Sequence, residues 1–377
     1  MYGANASGKT TLLTAIEFMK NRSITSFGTK MNGSALDKNH FLLSTTTENE
    51  ISSFEIIFLI NEEIYRYGFE TTSEKIMAEW LFVRSDSKEI ELFSRKEQVF
   101  KIHKTKFKVQ DLINNERISP ESLLISVAYF NNNPVARTFL QWLGKFDYIS
   151  GLREDLYMYF TRDMLQEEKN NEKILQLMTD ADLSINELSP INKNQHNYFT
   201  DVSSFHKKYD QNNEVVGTVR LSMNKEESSG TQKYFALLGP ILATLENGRT
   251  LFVDEMDAKI HPNLMLKIVE MFNSKEKNPK NAQLVFNTHN TNLLDKNTLF
   301  RKDQVWFTEK DRYGAATLFS LADFKITKTE KEASFEENYI RGKYGAVPFL
   351  GDSYGRNNEM NNKINKNSKK SLLNDEK

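Results

Sequence analysis

Eight residues at the start of the chain, Gly3-Ala4-Asn5-Ala6-Ser7-Gly8-Lys9-Thr10, constrain its fold more than any other stretch. They match G-x-x-x-x-G-K-[ST] at every position. The two glycines let backbone N–H groups curl around phosphate oxygens. Lys9 adds a point charge at the same place, and Thr10 offers a hydroxyl to a magnesium ion. The stretch that follows, TLLTAIEFMKN, sets Leu12, Leu13, Ile16 and Met19 on one face at helical spacing. A helix there aims its positive end at the anion. Loops of this kind hang from a buried strand, yet only Met1 and Tyr2 precede Gly3.

A chain of 377 residues holds one or two cores, each large enough to be stable without staples. The formal charge of −1 excludes a global basic field for nucleic acid and leaves room for a local patch. With no cysteine there are no disulfides, thiolate zinc sites or thiol nucleophile. The six histidines show no metal-ligand spacing. No run has the length of a membrane span and the N-terminus is no signal peptide, so the chain reads as soluble and cytoplasmic.

Texture divides the chain into five parts. Residues 1–50 hold the phosphate loop and first helix, with irregular polar sequence from 22 onward. Residues 51–104 are β-rich runs such as ISSFEIIFLI, IYRYGFE and AEWLFVRS, broken at Asn61-Glu62-Glu63 and Ser85-Asp86-Ser87; they predict antiparallel hairpins. Residues 105–220 turn mostly helical and predict a helical insertion. Residues 221–350 alternate short apolar runs (LFV, LVF, VWF) with helical patterns, which predicts a parallel sheet with covered faces. Residues 351–377 are rich in Asn and Lys and predict a disordered tail.

Three further motifs bear on chemistry. In RTLFVDEMD an apolar strand ends in Asp254-Glu255. Beside a phosphate loop, the first acid can hold magnesium through water and the second can act as general base; alone, such a pair is as readily structural. Glu227-Ser228-Ser229-Gly230-Thr231-Gln232 stands before a helix and reads either as a second anion site or as a plain N-cap. His289 follows the strand in LVFNTHN; it can hydrogen-bond a γ-phosphate, or serve only as a core or capping residue.

In this order and spacing the motifs resemble the ABC-type P-loop ATPases. The closer similarity is to the AAA-15 and AAA-21 ATPases, relatives of the OLD, RecF and Rad50 proteins that include AbiL/RloA-like abortive-infection proteins. It rests on YGANASGKT, FEIIFLINEEIYRYGFE with AEWLF, ESSGTQKYFALL, FVDEMDAKIHP, QLVFNTHNTNLLD, DQVWFTEKD and YIRGKYGAVP. The resemblance implies an α/β fold with a mostly parallel sheet, an antiparallel β-subdomain and a helical arm. It implies ATP and Mg²⁺ as cofactors. Gly3, Asn5, Ser7, Gly8, Lys9, Thr10 and Thr11 would surround the nucleotide, with Lys9 also catalytic. Thr10 and Asp254 would hold the metal, Glu255 would be the catalytic base and His289 the switch histidine. Ser229-Gly230 would form a variant signature motif and Asp257 would lie in the D-loop, near His261-Pro262.

The resemblance further implies a head-to-tail homodimer in which each signature motif caps the partner's ATP. Hydrolysis would open the dimer and move the helical arms. The setting it implies is phage defence or DNA maintenance. About ninety residues follow His289, too few for the nuclease domain of OLD-type relatives, so an effector or nuclease would be a separate protein. A DNA-clamping ATPase similar to RecF or Rad50 is the alternative. It would bring nucleic acid as a partner, although long coiled-coil heptads are absent. A transporter ATPase is disfavoured by the variant signature, and no membrane partner is expected. A non-catalytic remnant is disfavoured by the intact motifs. Members carry a strand before the phosphate loop. Its absence here predicts a sequence truncated at its start and a weakened affinity for ATP.

Overall fold

The computed structural model describes residues 1–27, 41–47, 50–85, 88–114, 118–181, 183–190, 201–295, 299–325 and 334–348. The protein is mixed α/β. β1 (Tyr2–Gly3) leads through the phosphate loop into α1 (Lys9–Thr25). Then come β2 (Ser52–Ile60), β3 (Glu63–Thr71), β4 (Ile76–Ser85), β5 (Lys88–Lys96) and β6 (Val99–Ile102). Next are α2 (Gln110–Asn114), α3 (Leu124–Phe130), α4 (Pro134–Leu143), β7 (Phe146–Ser150), α5 (Asp155–Met164) and α6 (Glu168–Asp180). They are followed by β8 (Ile185–Pro190), β9 (Val202–Tyr209), β10 (Val215–Ser222), α7 (Ser229–Asn247), β11 (Thr250–Asp254), α8 (Pro262–Asn273) and β12 (Gln283–Phe286). The last described elements are α9 (Asn292–Asp295), β13 (Trp306–Lys310), β14 (Ala316–Ser320) and α10 (Phe335–Ile340). The chain forms two compact units, one of Thr10–Phe286 and one of Met1–Lys9 with Asn287 onward.

In the larger unit β11 lies between β12 and β7, parallel to both. All five of its residues are buried, which is why LFV reads as a continuous apolar run rather than an alternation. α7 is apolar on nearly every face, the pattern of a helix enclosed by others. Pro240 lies inside it and cannot donate to the carbonyl one turn back. The Thr161 hydroxyl of α5 donates to that carbonyl, on Ala236, at 2.7 Å. α7 ends at Gly248, whose φ of 59° is the left-handed cap a glycine takes without a Cβ clash.

The hairpins form a five-stranded antiparallel sheet in the order β2-β3-β4-β5-β6. Asn61 and Glu62, at φ 49° and 68°, make the two-residue turn between its first strands. One face of this sheet takes Phe18 of α1 against Phe54 at 5.0 Å between ring centroids, and Trp142 of α4 against Phe58 at 4.2 Å. Glu79 of β4 is fully buried. It accepts from the first amides of α3, Leu124 N at 2.6 Å and Ile125 N at 3.0 Å, and faces Arg95 at 3.8 Å. A third sheet, β10-β9-β8, is antiparallel. Among the described residues β10 is its edge, with Val215, Val216 and Val219 exposed.

In the smaller unit β13 pairs parallel with β1 and antiparallel with β14. Tyr2, 3% exposed, packs in its core with its ring 6.3 Å from that of Phe307 and 5.8 Å from that of Tyr339.

Four predictions from sequence need correction. The span 105–220 is not mostly helical: β7 belongs to the parallel sheet and β8–β10 form one of their own. The VWF run does not extend the β11 sheet; as β13 it joins β1 and β14. Helix α1 continues through Thr25 into the stretch read as irregular. The phosphate loop does not lack a strand altogether, because Tyr2 and Gly3 are in register with Phe307 and Thr308. Residues 86–87 of the predicted second turn and the predicted tail, 351–377, lie outside the described residues.

Candidate nucleotide site

The phosphate loop starts where β1 ends. Gly3 is enclosed: a Cβ there would sit 2.4 Å from the Thr308 carbonyl oxygen and 2.6 Å from Ser7 Oγ, so no larger residue fits. Ser7 N donates to the Ala4 carbonyl at 3.2 Å, and Ser7 Oγ shares a hydrogen bond of 2.6 Å with Thr308 Oγ1. Ala6 and Gly8 take positive φ, 60° and 106°. Such alternation turns successive amides toward one concave side, the nest that binds anions. Lys9 is buried at 7% exposure and folds across the loop, donating to the carbonyls of Gly3 at 2.8 Å and Ala4 at 3.0 Å. Asn5 and Ala6 are exposed.

His289 belongs to the same unit. Thr288 N donates to the Met1 carbonyl at 3.1 Å, and Tyr2 Oη donates to the Asn290 carbonyl at 3.3 Å. These bonds pin the exposed His289 beside the strand from which the loop springs.

The larger unit carries the acids. Thr10, in the first turn of α1, donates its hydroxyl to the Asp254 carboxylate at 3.1 and 3.2 Å. Thr11 is next to it and exposed. Asp254 is the buried last residue of β11. Glu255 follows with φ 49°, a left-handed conformation uncommon for a non-glycine residue. Gly151, after β7, packs on this turn: its N–H donates to the Asp254 carbonyl at 2.6 Å, and a Cβ on it would lie 2.0 Å from the Glu255 carbonyl oxygen. Asp257 is half-buried in the turn that Ala258 N closes on the Glu255 carbonyl at 3.2 Å. His261 caps α8 through Nδ1, and Pro262 takes the first helical position.

Ser228 caps α7, its Oγ accepting from Thr231 N at 3.1 Å. Ser229 and Gly230 therefore fall in the first turn of a 19-residue helix, with Ser229 exposed. A Cβ on Gly230 would approach the Lys259 carbonyl to 3.1 Å, so the Ser-Gly turn and the loop after Glu255 lie against each other within one chain.

Three neighbours of the acids were not singled out from sequence. Gly151 is one. Lys233, buried one turn into α7, donates to the Gly151 carbonyl and to Tyr157 Oη at 2.9 Å. Burial pushes its amine down to about 8; Glu154 and Asp257 oppose the change and Lys259 adds to it. Tyr148 of β7 has its phenol pushed up by burial and then by the charges of Asp254 and Glu17, with Thr14 hydrogen-bonded to it. Lys233 stands four residues after Ser229, at helical spacing. Nothing in the sequence marks Tyr148 or Gly151.

Each unit carries groups of a kind that bind anions or cations. The nest of residues 3–9 and the Lys9 ammonium offer donors and positive charge to phosphates. The Thr10 hydroxyl beside the Asp254 carboxylate offers oxygen ligands of the kind magnesium takes. Among the described residues no helix is long and apolar enough to cross a membrane.

No curated protein matches the chain by sequence. Among solved structures the chain is similar to the SMC head domain from Thermotoga maritima, with 11% identity, 85% of this chain and 88% of that one covered, and a TM-score of 0.38. It is similar to an SmcHead bound to the C-winged helix domain of ScpA, with 16% identity, 85% and 88% covered, and a TM-score of 0.40. It is also similar to an Smc head domain with an extended coiled coil bound to the C-terminal domain of ScpA, derived from Pyrococcus furiosus, with 13% identity, 90% and 92% covered, and a TM-score of 0.34. The family described as "AAA domain, putative AbiEii toxin, Type IV TA system" matches residues 1–295, more than three quarters of the sequence, and the chain belongs to that family of AAA-domain proteins.

Proposed function

We propose that the protein is a magnesium-dependent ATPase of ABC type that works as a nucleotide-gated homodimer. The observation that carries this reading is the Thr10 hydroxyl on the Asp254 carboxylate, with Glu255 held in a left-handed turn one residue on. Magnesium bound there would draw charge from the phosphate oxygens. Residues 3–9 hold the phosphates through backbone amides and the Lys9 ammonium. Asp254 and Thr10 would hold the cation. Glu255 would accept a proton from water as the water oxygen bonds to the γ-phosphorus and the bond to the bridging oxygen breaks, releasing phosphate and ADP, which is general-base catalysis by a positioned carboxylate. His289 hydrogen-bonds the terminal phosphate and registers its loss.

Ser229, exposed, and Gly230, half-buried, carry N–H groups in the first turn of α7. In a head-to-tail pair they cap the nucleotide of the other copy, and hydrolysis removes the charge that holds the pair closed. The gene context we assign is phage defence or DNA maintenance with a separate effector protein; this rests on family analogy. The test is the mass of Glu255→Gln by light scattering with and without MgATP. Loss of the base traps the bound triphosphate, so the expected result is a dimer only with MgATP. A monomer under both conditions removes the dimer from this reading.

A further inference from the structure

Ser228 and Ser229 are exposed and Gly230 is half-buried, and the turn they form is held on two sides. Gly230 abuts the Lys259 carbonyl on one of them. On the other stands Glu227. A single oxygen of its carboxylate accepts from Ser204 Oγ and from His206 Nε2, the latter at 2.7 Å, both from β9. The side chains of Glu227 and His206 are 9% and 20% exposed, so water does little to weaken the pair. The Glu227 carbonyl accepts from Gln232 Nε2 at 2.8 Å, one turn into α7. The stretch before Glu227 is closed on itself: the amides of Glu226 and Glu227 donate to the Ser222 carbonyl at 2.9 and 3.2 Å. Met223 N donates to the Val202 carbonyl at 2.9 Å, and Asn224 N to Asp201 at 3.2 Å. One route from the β8–β10 sheet to the turn thus runs through short, mostly backbone-anchored links that end at Glu227.

We infer that Glu227 is a positioning residue: held by His206 and Ser204, it sets the Ser229-Gly230 amides for the partner copy's nucleotide and makes the β8–β10 sheet the element that governs closure of the pair. This rests on the dimer reading above. A residue with a structural role alone would change folding stability and leave closure in proportion to it. A positioning residue changes closure while nucleotide binding by the single copy stays as it was.

The experiment places Glu227→Ala, Glu227→Gln and His206→Ala in the Glu255→Gln background. It measures mass against MgATP, binding of a fluorescent ATP analogue at high dilution, thermal midpoint, and amide exchange of residues 228–232 without nucleotide. Glu227→Ala is expected to need roughly ten- to a hundredfold more MgATP for half-closure, the loss of a charge-assisted bond. Analogue binding should stay close to the background, the thermal midpoint should fall modestly with the lost hydrogen bonds, and exchange at 228–232 should rise. Glu227→Gln, which keeps an acceptor, should recover most of the closure. Unchanged closure in Glu227→Ala overturns the inference. If the Glu255→Gln background itself stays monomeric, the dimer reading fails and exchange decides the latch alone: faster exchange at 228–232 supports it and unchanged exchange overturns it. Should Glu227→Ala fail to fold, His206→Ala carries the same readouts, with the Ser204 bond intact.

Discussion

The Glu255 turn packs against a residue with no side chain. A methyl group on Gly151 would lie 2.0 Å from the Glu255 carbonyl oxygen, so Gly151→Ala must push the Glu255 turn away. A displacement of about 1 Å at a reacting group costs about a hundredfold in rate. Steady-state hydrolysis of Gly151→Ala is therefore expected to fall by about that factor, with magnesium-independent nucleotide binding retained. Lys233, which donates to the same Gly151 carbonyl, has an amine pushed down to about 8 against 10.5 when unfolded. Between those values the unfolded chain holds the proton and the folded chain does not. Stability from this group therefore rises with pH across that window. Below about 8 both states are charged and its burial is a constant cost. Lys233→Met should remove the rise, which is read as the difference between the thermal midpoints of the two proteins from pH 8 to 10. Measurements stop there because burial raises the phenols of Tyr65 and Tyr234 to about 12, and those groups lower stability above pH 10.

Among elements, α3 shows how a helix start can be fixed from another layer. Glu79 of β4 satisfies its first two amides and balances the buried Arg95. Glu79→Ala leaves that guanidinium without its counter-charge, which costs about 3–5 kcal/mol; urea denaturation should show the loss in the midpoint with the slope unchanged. No local pattern announces this role, since Glu79 reads as the polar place in AEWLF. The phosphate loop, the Asp254-Glu255 tip and the hairpins of 51–102 were legible because their chemistry demands fixed spacing or strict alternation. The strands β7 and β8–β10 were not. FDYIS is five residues with little apolar excess, and VSSFHKKY carries its alternation on Ser, His and Lys. β10 did show the β-branched run VVGTV, a signal outweighed by the helical texture around it. A two-residue strand such as β1 has no period to detect. Its place comes from Tyr2 packing among Phe307 and Tyr339, some three hundred residues away in sequence. The latch at Glu227 joins residues about twenty apart through a sheet that spacing alone does not foretell.

At the scale of the whole molecule, a net charge of −1 means that two copies meet without appreciable mutual repulsion. The same neutrality leaves little to keep copies apart when they should be. β10 presents exposed Val215, Val216 and Val219 on a strand that is an edge among the described residues. Exposed apolar edges are where chains add to one another without limit. The consequence is colloidal: this strand, together with exposed Ile57 and Leu59 of the edge strand β2, should limit solubility without nucleotide, and concentrated solutions should turn cloudy through such edges. Val216→Lys, a charge on the edge, is expected to raise the concentration at which light scattering of the nucleotide-free protein departs from that of single copies.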